Sequence, residues 1–564
     1  MDASALKETL QSVIKGEVSD AEDARRVAAR DTSLFERVPA LVCYPQDAAD
    51  VRAIVKVVGE AHKSDPSVVL AARAAGTDMT GGPLTTGVVI SFTEHMNHVL
   101  NVARLRHNVG HPMSYIAGYA YTEPGVYYRD FEAATLNKGL ILPSYPASRE
   151  LAAMGGIVAN NAGGERSLCA GKTERYVEEL EVVLSDGSAA LFKALTPPEL
   201  AEKKKLENLE GDTYRQMDTL LTEHAECINA HRPRVAKNSA GYALWSVKDA
   251  KTGTFNLAKL IVGSQGTLAL WTRAKLALIA PKAHRAMLVV FLYDLATLPT
   301  IVERVLPFSP ESFESYDDHT FTLAVKFLPQ MLAQMGWAKA ARLGIEFIPE
   351  AAMVASGGVP KMILMAEFAE DTIEVADAKA LAAKTALADL HLHTRIEKDE
   401  KESEKFWIVR RESFSLLRKN LHGLYAAPFI DDFVVPPSSY PDFLPKLHAL
   451  LEEYKDAFIY TIAGHIGSGN FHIIPLMDLG KPRTKEIVLE LAPKVYDLVI
   501  KAGGTTTGEH NDGIIRTPYL PQLFGPEMVA LFEETKKIFD PAGILNPGKK
   551  VGGTFEDIAR DMLR

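Results

Sequence analysis

FIYTIAGHIGSGNFHII, residues 458–474, reads as two short strands around a turn. Its first part is β-branched and aromatic, and that character resumes at residues 471–474. Gly467, Ser468, Gly469 and Asn470 between them are turn residues. With those four as the loop, Ile466 faces Phe471 and His465 faces His472. Directly opposed residues carry Cβ atoms ~4.5–5.5 Å apart, so both imidazoles reach one ion. Downstream, TTGEHNDG (506–513) adds Glu509 as a third, harder ligand and His510 as a base beside the ion. Two histidines, one carboxylate and an open position are a usual ligand set for a catalytic divalent metal. In an extended strand Glu509 and His510 would face opposite sides. Both serve one site only if residues 508–511 form a turn or bulge, which Gly508 and Gly513 favour.

Outward from the hairpin, the chain alternates strands with helical stretches, which suits an α+β arrangement with a largely antiparallel sheet. Strands are expected at residues 286–292, 362–368, 425–434 and 457–463, and a helix at 371–390. A boundary falls at residues 280–283 (APKA). Before it, residues 20–37 form a polar, helix-like lead-in. Residues 40–44, 47–62, 68–72 and 88–92 then read as strand, helix, strand and strand. Further strands are expected at 179–184, 260–262 and 268–278. This divides the chain into a lead-in (1–38), a first domain (39–280), a second (281–550) and a tail (551–564).

With 564 residues the chain is too long for one core. Its 47% hydrophobic and 24% charged content is that of a soluble globular protein. A net charge of −10 argues against a nucleic-acid surface, which needs a basic stripe. No secretory signal and no apolar run of membrane-spanning length is visible, so a cytoplasmic protein is expected, soluble or peripheral to the inner face of a membrane. Three scattered cysteines, Cys43, Cys169 and Cys227, exclude a disulfide framework, a structural zinc site and an iron–sulfur cluster of the chain's own.

Two glycine-rich segments point to a cofactor. RAAGTDM (73–79) follows a strand but is not GxGxxG and opens no helix, so it is not a Rossmann turn. Turns of small residues still expose backbone N–H groups that bind pyrophosphate. LPSYPAS (142–148) precedes AMGGIVANNAGG (153–164), where four glycines and two asparagines permit close approach of backbone to a flat ligand.

Together with GSQGT (263–267) and LNPGK (545–549), these segments resemble, in order, the successive motifs of the FAD-linked D-2-hydroxyacid dehydrogenases. That family acts on D-lactate, glycolate or D-2-hydroxyglutarate and lies within the vanillyl-alcohol-oxidase flavoproteins. The resemblance covers roughly residues 31–550. It implies a two-lobed FAD-binding domain of the PCMH type, then an α+β substrate domain capping the isoalloxazine. On this resemblance Arg73, Ala74, Ala75, Gly76, Thr77, Asp78 and Met79 wrap the pyrophosphate. Pro146, Ser148, Gly155, Gly156, Asn160, Asn161, Gly163, Gly164, Gly266 and Thr267 lie along the cofactor, and Asn546 touches the flavin. His465, His472 and Glu509 match metal ligands, and His510 the base. Arg410, from Trp407-Ile408-Val409-Arg410, matches the clamp for a substrate carboxylate, with Arg411 a rival, and Asn470 faces substrate.

Four positions depart from the family pattern: Ser468 replaces Asp, Gln265 replaces Glu, Asn511 replaces Gly and Val434 replaces Ser. The activity implied is oxidation of a D-lactate-like acid with non-covalent FAD and a divalent metal, Zn²⁺ first, Mn²⁺ or Fe²⁺ as alternatives. The electrons would pass to an external quinone, cytochrome, electron-transfer flavoprotein or iron–sulfur subunit, and a homodimer is compatible. The competing readings are a metal-free flavin alcohol oxidase, a redox-neutral flavin synthase, or a non-catalytic flavin subunit of a larger complex.

Overall fold

A computed structural model describes residues 3–105, 115–322, 358–398, 401–410 and 423–563. Arg411 lies outside them. The amino-terminal part forms two lobes. In the first, Leu41–Tyr44, Val88–Ser91 and Leu70–Arg73 pair in parallel, and Glu17–Ser19 adds an antiparallel edge. The helix Ala48–Ser64 crosses between two of these strands. It starts where the Asp47 carboxylate accepts from the Ala49 and Asp50 N–H groups, a capping arrangement that supplies partners to otherwise orphaned donors. Its Val51, Ile54, Val55 and Val58 are buried, as the helical spacing of these residues requires.

The second lobe is a five-stranded antiparallel sheet ordered Val99–Arg104, Ile116–Thr122, Leu270–Ile279, Val177–Val183 and Ala189–Lys193. Helix Leu520–Phe539, from near the end of the chain, contributes Phe524, Met528 and Phe532 to its core. The cap is a seven-stranded, wholly antiparallel sheet ordered His393–Glu397, His284–Leu292, Met362–Glu370, Ser312–Asp317, Ile462–His465, Asn470–Ile473 and Phe433–Val434. Helix Ile373–Thr385 packs small residues, Ala376, Ala380 and Ala383, against it. The α+β class and the antiparallel cap therefore stand.

Local expectations fail in four places, the first being the strand expected at 457–463, which begins only at Ile462. The strand expected at 260–262 is part of a short helix, Ala258–Ile261. A three-residue apolar run carries no periodicity that separates a buried strand from a buried helical turn. The strand expected at 425–434 is only Tyr425–Ala426 and Phe433–Val434. Between them Pro428 lacks a ladder donor, and Asp432 takes the left-handed conformation, φ 68°.

The hairpin register differs as well. Its loop is residues 466–469, so His465 pairs with Asn470, and His472 with Ala463. Gly469, at φ 76°, closes the turn with the backbone freedom that only glycine has without strain. The shift is by two residues, which preserves the face of every side chain. His465 and His472 still share one side of the sheet, as diagonal neighbours with ring centroids 5.2 Å apart.

Candidate active site

A cavity of about 940 Å³ opens where the two lobes meet the cap. Residues 73–79 line it, with Pro146, Ser148, Gly155, Gly156, Asn160, Gly163 and Gly266. From the cap come Arg410, His465, His472, Glu509 and His510. Asn161, Gly164, Thr267, Asn546 and Asn470 stand behind its wall as bracing. Asn161 bonds Glu174, Thr267 bonds Tyr242, and Asn546 donates to the Gly82 and Gln265 carbonyls. A Cβ at Gly164 would meet the Tyr145 carbonyl at 2.2 Å, and the Asn470 amide holds Asp432.

The glycine loop is shaped for a flat group. A Cβ on Gly155 would strike the Pro124 carbonyl at 2.8 Å, whereas one on Gly156 would meet nothing within 4 Å. At Gly163 it would lie 3.0 Å from the Glu509 carboxylate. The bare backbone of this loop thus runs directly under the cap's acidic residue. A cavity lined by the small-residue turn at 73–79, by bare glycine backbone and by titratable groups fits FAD.

The imidazoles are held from behind. Glu314, on strand Ser312–Asp317, takes Nδ1 of His465 at 2.7 Å. The Asp431 carboxylate takes Nδ1 of His472 at 3.0 Å through one oxygen and Nδ1 of His510 at 2.6 Å through the other. A carboxylate only accepts, so each Nδ1–H donates and each Nε2 remains for the cavity, the orientation that a carboxylate behind a metal-binding histidine imposes. The His472 and His510 rings stack at 5.0 Å. Nε2 of His465 lies 3.4 Å from Oε1 of Glu509. Bonds of ~2.1 Å to a tetrahedral ion span an edge of ~3.4 Å, so this spacing suits two ligands of one ion. Asp432, His472, Glu509 and His510 also place ligand atoms within 4.8 Å of one another. Within this group His472 and Glu509 offer donors that suit a divalent cation, and His465 adjoins them through Glu509.

Residues 508–511 are bent rather than extended, and Asp432 bends them. The N–H groups of Gly508, Glu509 and His510 all donate to its Oδ2, at 3.0, 2.9 and 2.7 Å. Thr507 adds its hydroxyl to the same oxygen. Asn511 follows at φ 73°. Asparagine tolerates that region better than other side chains, which explains how it stands where the family has Gly. Gln265, standing for Glu, has an equally local reason. Its amide donates at 3.3 Å to the Asp78 carboxylate, where a second carboxylate would repel.

Electrostatics follow from burial. Burial alone would lower His510, but the Asp432 and Asp431 carboxylates outweigh it and raise the imidazole to about 9. For His472, burial wins over Asp431 and the pKa falls. For His465, burial is outweighed by Glu314 and the pKa rises. Glu509, although buried, is held well below the usual carboxylate range by Lys237 and His465. Arg410 meets Glu314 at 3.4 Å, and its Nε is buried without a hydrogen-bond partner. Asp431, Glu314 and Lys237 were not singled out from the sequence. The doubled Asp431-Asp432 within the apolar run 427–436 was the one available signal.

Two family models match the chain. Residues 281–550 match the family model of FAD linked oxidases, C-terminal domain, and residues 39–191 that of an FAD binding domain. The D-2-hydroxyglutarate dehydrogenase of Pseudomonas putida is 28% identical over 545 residues, 95% of this chain and 51% of that protein. The chain thus spans about half the length of that relative. The D-lactate dehydrogenase of Archaeoglobus fulgidus is 28% identical over 91% of both chains. The Glycolate oxidase subunit GlcD of Bacillus subtilis is 26% identical over 94% of this chain and 93% of its own. Among solved structures, a 4-ethylphenol oxidase from Gulosibacter chungangensis superposes with a TM-score of 0.66 at 16% identity, over 98% of this chain and 97% of that one. An alkyldihydroxyacetonephosphate synthase gives 0.64 at 15%, over 97% and 85%. At such identity these two likenesses concern the fold. Among the described residues, no helix is long and apolar enough to cross a membrane.

Proposed function

The chain belongs to the FAD-linked oxidoreductases of the D-2-hydroxyacid dehydrogenase family, and on that premise we propose that it oxidises a small D-2-hydroxyacid to the 2-oxoacid in the cavity between lobes and cap. The observation that carries this reading is the meeting of Arg410, His472, Glu509 and His510 on one cavity wall, above the glycine loop. Bound FAD would supply a hydride acceptor, and a divalent cation (Zn²⁺, Mn²⁺ or Fe²⁺) held by His465, His472 and Glu509 would supply a Lewis acid toward the substrate.

The chain's own residues do the rest. Arg410 clamps the substrate carboxylate, and its unpartnered Nε is a donor left for that purpose. His510 takes the hydroxyl proton in its neutral form, so with its imidazole raised to about 9 the rate should climb as pH rises toward that value. Asp431 fixes its tautomer and stabilises the imidazolium that results. Asp432 holds Glu509 and His510 on the same side by bending the backbone between them. An external acceptor then removes the electrons.

Anaerobic bleaching of the flavin by a panel of D- and L-2-hydroxyacids tests the reading. Bleaching by a D-acid and not its L-enantiomer is expected. Absence of bleaching by every D-2-hydroxyacid, with FAD and metal bound, would sink it. A second reading, a metal-free flavin oxidase or redox-neutral synthase, is favoured by one observation: Glu509 is already paired with the Lys237 ammonium. Metal analysis of protein as purified separates the two.

A further inference from the structure

Lys237 comes from the flavin half, Glu509 from the cap, and their side chains are 1% and 5% exposed. They are in direct contact, and the ammonium sits on Oε1 of Glu509, the same oxygen that faces Nε2 of His465. The contact is not a chance rotamer, because the backbone on both sides of it is tied down. The Ser239 N–H donates to the Thr507 carbonyl at 3.0 Å, and the Thr505 hydroxyl donates to Asn238 at 2.6 Å. Lys172, itself buried, donates to the Asn238 carbonyl at 2.6 Å and to the Gly508 carbonyl at 2.8 Å. Two loops separated by 272 residues are thus clamped so that an ammonium meets the proposed metal-binding carboxylate.

We propose that Lys237 is a resident cation that competes with the divalent ion for Glu509. The inference rests on the reading of His465, His472 and Glu509 as metal ligands. An isolated buried carboxylate is costly, and Lys237 removes that cost in the metal-free protein. A divalent ion arriving at Oε1 must displace the ammonium or bind beside it, and two cations in a water-poor site repel. Lys237 therefore keeps the empty site folded and weakens its grip on metal. Few single substitutions are expected to tighten metal binding, which makes the sign of the effect diagnostic.

The test uses full-length flavoprotein stripped of metal by a chelator, then titrated with Zn²⁺ and Mn²⁺ against a chromophoric competitor. Lys237→Met is expected to bind Zn²⁺ at least tenfold more tightly than the natural protein. Its metal-free form should melt at a lower temperature and gain more from added Zn²⁺. Lys237→Arg, which keeps the charge, should stay near the natural affinity. Lys237→Gln, which retains a donor toward Glu509, gives the same comparison if the Met variant loses FAD. Tight Zn²⁺ binding by Lys237→Met alone, with none in the natural protein, would support the inference while removing metal dependence from the proposed function. Equal or weaker binding by both neutral variants would overturn the inference and leave the dehydrogenase reading standing. No binding by any of the four proteins would remove the ligand assignment and the inference together, while flavin bleaching is measured separately.

Discussion

Glu314 and His465, 151 residues apart in sequence, meet at 2.7 Å through Oε1 and Nδ1, and the other oxygen of the same carboxylate faces the Arg410 guanidinium at 3.4 Å. One buried side chain thus sets both a proposed metal ligand and the proposed substrate clamp. Glu314→Gln keeps the shape and loses the charge. Metal affinity is expected to fall ~10–100-fold, the usual range for a partner of a ligating histidine. The KM of the best acid should rise in parallel. Chelator competition and steady-state kinetics check the two effects; a change in neither would show that Glu314 only fills space.

His510→Ala should retain FAD and lose ~10²–10⁴-fold in the rate of flavin reduction, the range for removal of a general base. Stopped-flow bleaching measures it directly. A near-normal rate would take His510 out of the chemistry.

Asp432→Ala leaves three consecutive N–H groups without their shared acceptor. Each charge-assisted bond contributes ~1.5–3 kcal/mol, so the bend at residues 508–511 should open locally by several kcal/mol. Hydrogen exchange in a peptide spanning residues 505–515 should accelerate by orders of magnitude, with FAD content less affected. Exchange as slow as in the natural protein would contradict the anchoring role.

Asp31 lies behind the turn at residues 73–79. Burial and the neighbouring Asp78 carboxylate push it up to about 7 from an ordinary 3.8. Between those values the folded state holds a proton that the unfolded chain has released. Stability from this group is therefore present below ~pH 4 and lost as pH rises through ~7. Thermal melts of FAD-free protein from pH 4.5 to 8 should show a decline that Asp31→Asn flattens. Parallel curves for the two proteins would refute the assignment.

Much of the architecture was legible because it is written in periodicity. β-Branched and aromatic flanks around the turn residues 467–470 marked the hairpin, and the spacing of Val51, Ile54, Val55 and Val58 marked the first long helix. The need for Glu509 and His510 to face one way announced the bend at residues 508–511. What was hidden is long-range. The hairpin loop slid because several small residues offer equivalent turns, and only the packed sheet chooses among them. The groups that orient the imidazoles sit 41–151 residues from their partners, on other elements, where no local spacing points to them. Lys237 was invisible for the same reason, in a segment without periodicity.

One late strand-like contact of the chain has a consequence for biosynthesis. Leu545 bridges in parallel to Leu70, the Leu70 N–H donates to the Ile544 carbonyl at 2.9 Å, and the Asn546 N–H returns to the Leu70 carbonyl at 2.7 Å. The Asn546 side chain then ties Gly82 to Gln265 from a position 464 residues beyond the first of them. The strand that leads into the turn at residues 73–79 therefore has Val88–Ser91 on one side early in synthesis but lacks its other neighbour until residues 544–546 have emerged. A nascent chain cannot complete this side of the cofactor turn before that late segment has emerged. A chain cut just before residue 545 would keep most of its sheets but lose the Leu70 bridge and the Asn546 ties, and should hold the flavin less firmly.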